Sequence, residues 1–281
     1  MEKIKITCDS TCDLTAQMYA EHNVHVVPLG ISLGDKFGYD GVDMTAADIF
    51  AYVDRSGELP KTSAISLGEY LDVFGKYTEE GYQIIHISLS SELSSSYQNA
   101  CIAAQSFEGI HVIDSRNLST GSGHLVLLAA QMAESGCSAE QIVTVLNEKK
   151  QKLDASFVLQ TLDYLHKGGR CSGVAAFGAN LLKLRIEIEV KDGKMQVAKK
   201  YRGNLDHSVA DYIKGRLTGR EDLDPDRLFI THSGVPQASL DKAVALVKEL
   251  YPFREVITTT AGCTITSHCG PNCLGLLFFT K

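Results

Sequence analysis

Residues 83–114, QIIHISLSSELSSSYQNACIAAQSFEGIHVID, hold two β-rich runs, Gln83 to Leu89 and Ile110 to Asp114, with a serine-dense stretch and a helical pattern between them. Strand, long crossover and strand read as neighbours in a parallel sheet, since parallel strands cannot be joined by a tight turn. Ile4 to Cys8 and Val24 to Ile31 extend the rhythm toward the start of the chain. Helix starts are marked by capping boxes or close relatives: Ser10 with Asp13, Thr45 with Asp48, Ser66 with Glu69, and Ser138 with Gln141.

From about Ala155 the rhythm changes. Strands are expected at Phe157 to Gln160, Leu184 to Val190, Met195 to Lys199, Leu228 to His232, Val256 to Thr260 and Leu274 to Phe279. Lys191-Asp192-Gly193-Lys194 is a hairpin-type turn, so two of them pair antiparallel and this half should hold a mixed sheet, with helices near 204 to 218 and 237 to 251. The fold class is α/β with two domains, 1–153 around a parallel sheet and 154–281 around a mixed one. No internal repeat is present.

A net charge of -7 and a pI near 5.7 argue against nucleic acid as a partner, because neutralising phosphates needs a basic face. Lys199, Lys200 and Arg202 make only a small basic cluster. Met1 to Ser10 carries alternating charges straight into a strand pattern, so no signal peptide is expected and the cytoplasm is the expected compartment. The apolar run Leu125 to Met132 falls far short of the roughly 20 residues of a membrane span and reads as a buried helix. The eight Cys then read as thiols in a reducing compartment.

Polar loops follow the strands of the first half: Asp9-Ser10-Thr11, Ser88 to Ser96, and Asp114-Ser115-Arg116. Open parallel sheets bind ligands beyond these strand ends, and hydroxyls near helix starts suit a carboxylate or a phosphate. Ser10 and Ser66 read as caps; at Thr62 and Ser94 a cap and a ligand contact weigh about equally. His268, in a turn-rich loop before the last strand, is either a hydrogen-bond donor to an anion or structural. Arg202 is either a carboxylate partner or a solvated side chain.

Lys167-Gly168-Gly169-Arg170 lacks the spacing of a phosphate loop and reads as a tight turn with positive φ. Cys8, Cys12, Cys269 and Cys273, with His268, form at most a weak metal or redox pattern. No nucleophile elbow, zinc-binding His-Glu-x-x-His, dinucleotide fingerprint or kinase signature occurs.

In order, Asp9-Ser10-Thr11, Val27-Pro28-Leu29, Lys61-Thr62-Ser63, Leu93-Ser94-Ser95-Ser96-Tyr97-Gln98, Asp114-Ser115, Tyr164-Leu165-His166-Lys167-Gly168-Gly169-Arg170 and His268-Cys269-Gly270-Pro271 resemble the DegV family over essentially the whole chain. The resemblance implies a Rossmann-like three-layer first domain and a long-chain fatty acid, such as palmitate, stearate or oleate, gripped between or within the domains. It further implies no cofactor and no catalytic residue. The partner it implies is a separate ATP-binding, dihydroxyacetone-kinase-like protein that makes an acyl phosphate in bacterial phospholipid metabolism, with at most transient membrane contact.

By position, Thr62 and Ser94 match the hydroxyls that bind the carboxylate, with the backbone N–H of Ser95 assisting. Arg202 and His268 match the residues around the head group and partner-facing entrance. Ser95 replaces the family's usual Gly, Asn272-Cys273 the usual Gly-Thr, and Arg185-Ile186-Glu187 a common Lys-Pro-Ile. The rival readings are a stand-alone enzyme acting on a small carboxylated or phosphorylated substrate and, behind it, a thiol or metal protein.

Overall fold

The computed structural model describes residues 2–171 and 184–281. In the first half run β1 (Ile4–Asp9), α1 (Ala16–Glu21), β2 (His25–Val27), β3 (Gly30–Leu33), β4 (Lys36–Tyr39), α2 (Ala46–Ser56), β5 (Lys61–Ser63), α3 (Leu67–Glu79), β6 (Gln83–Ser88), α4 (Ser96–Ala104), β7 (Ile110–Asp114), α5 (Ser119–Glu134) and α6 (Ala139–Lys149). The second half holds β8 (Leu153–Leu159), α7 (Asp163–Gly168), β9 (Leu184–Lys191), β10 (Lys194–Arg202), α8 (Leu205–Leu217), β11 (Leu223–Ser233), α9 (Gln237–Leu250), β12 (Glu255–Thr260), α10 (Cys263–Cys269) and β13 (Cys273–Thr280).

The strands form a parallel sheet in the order β2-β1-β6-β7, a mixed sheet in the order β10-β9-β8-β13-β11-β12, and a small antiparallel sheet, β4-β3-β5. The expected α/β class with one parallel and one mixed sheet is therefore what the chain adopts. The turn at Asp192-Gly193 joins β9 to β10 with both residues at positive φ, as a two-residue hairpin requires.

Val24 to Ile31 is not one strand. Pro28, without an N–H to offer a ladder, separates β2 in the parallel sheet from β3 in the small one. The short strands β4 and β5 that pair with β3 left no periodic signal. The capping boxes at Thr45, Ser66 and Ser138 form as expected. Ser10 does not cap a helix: its hydroxyl donates to Asp40 Oδ2 (3.1 Å) and accepts from the Leu29 N–H (3.1 Å), and Thr15 caps α1 instead.

The apolar run Leu125 to Met132 lies within α5, sandwiched between the two main sheets. Leu125, Val126, Leu127 and Ala129 pack in one core with Ile85 and Ile87 of β6 and with Ala155, Phe229 and Leu277 of the mixed sheet. Each large aliphatic chain so buried stabilises the fold by roughly 1.5–3 kcal/mol. His124 on α5 is bonded to the Leu277 carbonyl (3.0 Å), and Thr120 Oγ1 lies 2.6 Å from Thr231 Oγ1, so polar contacts also register α5 on the mixed sheet.

Candidate functional site

Three polar elements meet at one end of a cleft between the halves. Thr62 lies on β5, registered opposite Ile31. The chain leaving β5 is tied to the start of α4, where the Ile65 N–H donates to Ser96 Oγ (3.2 Å) and Asn99 Nδ2 donates to the Ile65 carbonyl (2.7 Å). Ser94 accepts the Ser96 N–H (3.2 Å), its Oγ is 3.0 Å from Ser96 Oγ, and Ser95 is the residue before the first turn of α4. The first N–H groups of a helix have no partner inside it, so this corner offers donors to an anion.

The third element is α10. His268 is on its last turn rather than in a loop, a correction whose cause is local: the helix runs on until Gly270, at positive φ, ends it. His268 Nε2 lies 2.9 Å from Thr62 Oγ1, across 206 residues of sequence. Burial, with the nearby charge of Arg170, pushes its pKa down to about 4, so the ring is neutral at physiological pH. Its Nδ1 is buried without a partner. A stranded N–H is costlier than a stranded lone pair, which places the proton on Nε2, where it donates to Thr62 Oγ1. The Thr62 hydroxyl hydrogen is thereby left to donate into the cleft.

The cleft encloses a cavity of about 120 Å³. Thr62, Ser94, Ser95, Arg170 and His268 line its polar end; Leu29, Leu89, Leu93, Met195 and Ile265 line the rest. Arg170 follows α7 and its left-handed Gly169, and its guanidinium is braced on the carbonyls of Gly168 (2.7 Å) and Leu93 (3.4 Å). A Cβ at Gly168 would stand 2.3 Å from His268 Nδ1, so the glycine pair gives clearance to the histidine as well as a turn.

Beyond the shared residues Leu118, Ile265 and Cys269 lies a second, small cavity of about 20 Å³, walled by Phe157, Gly275 and Leu277. The hydroxyls bordering it are engaged elsewhere: Ser119 donates to Asp13 (2.5 Å), Ser233 to Thr266 (3.2 Å), and Thr231 Oγ1 lies 2.9 Å from Thr259 Oγ1. What faces the cavity is apolar.

The structure thus brings Thr62, Ser94, Ser95 and His268 together. Arg202 does not line the cleft; it is exposed at the end of β10 on an open groove with Lys199, His207 and Lys214. Arg170, a permanent cation within the quoted glycine motif, was missed as a site residue because that motif reads as a turn. The Cys12 thiol is in hydrogen-bonding contact with that of Cys8, and the Cys273 thiol with that of Cys269. Burial and the Cys8 contact raise the Cys12 pKa, and the Cys269 contact with burial raises that of Cys273, which makes poor thiolates. No cysteine is in a disulfide, and among the described residues no group of three or more His, Cys, Asp or Glu is placed to hold a metal ion.

The family model described as "Uncharacterised protein, DegV family" matches residues 3–281. The chain belongs to the DegV family. A DegV domain-containing protein of Clostridium acetobutylicum is 34% identical to it over 287 residues, covering 100% of both chains. A DegV family protein of Thermus thermophilus, whose structure is described for its fatty acid binding, matches with a TM-score of 0.88 and 29% identity over 99% of this chain and 100% of its own. A stearic acid-binding protein of Eubacterium ventriosum matches with a TM-score of 0.87 and 26% identity over 100% and 99%. These DegV neighbours share the two-domain architecture.

Proposed function

We propose that this chain binds a long-chain fatty acid and presents its carboxylate to a separate ATP-binding, dihydroxyacetone-kinase-like protein, which phosphorylates it to an acyl phosphate. The observation that carries the reading is the polarity of the cleft: apolar walls running into a second apolar chamber, closed at one end by Thr62, Ser94 and a neutral histidine that orients the threonine. A carboxylate there takes the hydroxyl hydrogens of Thr62 and Ser94 and the Ser95 N–H, while each buried methylene contributes roughly 0.8 kcal/mol. Arg170 places a cation where negative charge builds when the carboxylate becomes an acyl phosphate. Arg202, on the outer groove, faces the partner.

The reading keeps the domain boundary between residues 153 and 154 and a cytoplasmic setting with at most transient membrane contact; no helix among the described residues is long and apolar enough to cross a membrane. A second reading, a stand-alone enzyme, draws on Thr62 and His268 at 2.9 Å as a nucleophile and base. Against it, His268 Nδ1 has no orienting carboxylate.

The test is to purify the protein from a bacterial host, denature it and identify what is released by mass spectrometry. Long-chain fatty acid near one per chain is the expected result; a stoichiometric non-lipid ligand or a metal overturns the reading. Acyl phosphate should then form only when kinase and ATP are both added, and turnover by the protein alone would favour the enzyme.

A further inference from the structure

The helix that carries His268 is anchored at its other end by carboxylates from the first half of the chain. Asp40, just after β4, accepts the Cys263 N–H on Oδ1 (2.7 Å) and the Thr264 N–H on Oδ2 (3.1 Å), and Ser10 also donates to Oδ2 (3.1 Å). Asp13, at positive φ, accepts the Gly262 N–H (2.8 Å). Both acids are buried. The approach is tight, since a Cβ at Gly262 would lie 3.1 Å from Asp40 Oδ1 and 3.2 Å from Asp13 Oδ1. The anchor is charge-assisted and complements the positive end of the helix dipole.

His268 lies five residues beyond Cys263, about 7.5 Å along the axis of a helix only seven residues long. Its hydrogen bond to Thr62 tolerates displacements of only a few tenths of an ångström. We propose that Asp40, braced by Asp13, is a positioning residue for the carboxylate site: by fixing the start of α10 it sets His268 Nε2 against Thr62 Oγ1 and so the direction in which the Thr62 hydroxyl donates. The inference rests on the fatty acid reading for its ligand, but the alignment it describes exists in the ligand-free protein. Burial, against the pull of the Ser119 and Gly262 hydrogen bonds, raises the Asp13 pKa to about 8.

The experiment is a double-mutant cycle read by palmitate affinity at pH 7. Asp40→Asn, which keeps the shape but halves the anchor, should weaken binding about 5-fold, and Asp40→Ala about 20-fold. In a His268→Gln background either change should add less than 2-fold, because the route through His268 is already cut. Equal losses in both backgrounds, or a lowered melting temperature with unchanged affinity of the folded protein, would overturn the proposal. If Asp40→Ala does not fold, Asp40→Asn carries the same cycle.

A second readout separates this inference from the ligand reading. The ring nitrogen signals of His268 in ligand-free protein should report Nε2–H in wild type and shift in Asp40→Asn. Wild type failing to bind palmitate while that shift appears would sink the ligand and leave the positioning; no shift would sink the positioning.

Discussion

The two ends of the cleft treat hydroxyl groups in opposite ways. At the polar end Thr62 Oγ1 accepts from His268 and Ser94 Oγ accepts the Ser96 N–H, so both oxygens are engaged as acceptors and their hydroxyl hydrogens are left for the cleft. In the second chamber Ser119 and Ser233 donate their hydroxyl hydrogens to Asp13 and Thr266, and Thr231 Oγ1 is held against Thr259 Oγ1. Serine or threonine content alone therefore says nothing about where a polar ligand group goes. What decides is whether a hydroxyl's partner takes its hydrogen or donates to its oxygen, because only the second leaves a hydrogen for a ligand.

The strongest way to break this contrast is to remove the polar end. Thr62→Ala with Ser94→Ala takes two charge-assisted hydrogen bonds from the carboxylate, at roughly 1.5 kcal/mol or more each, so fatty acid affinity should fall by about two orders of magnitude in calorimetric titration. Wild-type affinity in the double variant would remove both residues from the site.

The apolar end is tested by filling it. A Cβ at Gly275 would come within 3.0 Å of the Ser156 carbonyl and 3.2 Å of Phe157 Cβ. Gly275→Val should cost about 1–3 kcal/mol of stability by overpacking and shift preference toward shorter tails by roughly tenfold. Competition between dodecanoate and stearate measures it, and an unchanged preference would place the tail elsewhere.

Acidity sharpens the comparison further. His124, fully buried under the second chamber, and His268 at the polar end both have pKa values pushed down to about 4 by burial. Between pH 6.5 and 4 the unfolded chain takes up protons that the folded one refuses. Stability should fall as pH drops through that window, by about 1.4 kcal/mol per pH unit for a fully shielded histidine. Asp13 runs the other way: with its pKa raised to about 8, the folded state holds its proton longer, and its contribution is lost as pH rises from 4 toward 8. Denaturant titrations of wild type and His124→Gln across pH 4–7 check the histidine part; the variant should show the shallower loss below pH 6.5.

The smallest expected effect on binding is at Arg202. Arg202→Ala should change fatty acid affinity less than 2-fold while slowing phosphorylation by the kinase, since the side chain lies outside the cleft. An unchanged phosphorylation rate would remove it from the partner surface.

The main sheets were legible because their strands are long apolar runs with strong boundaries, and the six strands placed after Ala155 all appear with bounds shifted by a few residues. The small β4-β3-β5 sheet was not legible, because three- and four-residue strands carry too few alternations to set a period. At the candidate site, the quoted motifs contain Thr62, Ser94, Ser95 and His268, which line one cleft, but no local pattern announces a contact between residues 62 and 268. Asp40 escaped for the same reason. Its partners are backbone N–H groups more than two hundred residues away, and an acid that caps a distant helix looks in sequence like any acid in a turn.

The cleft is lined from both halves of the chain, with Thr62 and Ser94 on one side and Arg170, Ile265 and His268 on the other. A lipid held there is mortar between two masonry blocks. Its departure requires the joint to open, so lipid exchange should keep the pace of the protein's breathing rather than of diffusion in water. On the proposed function, a docking partner that pries the joint would control the timing of transfer as well as its chemistry.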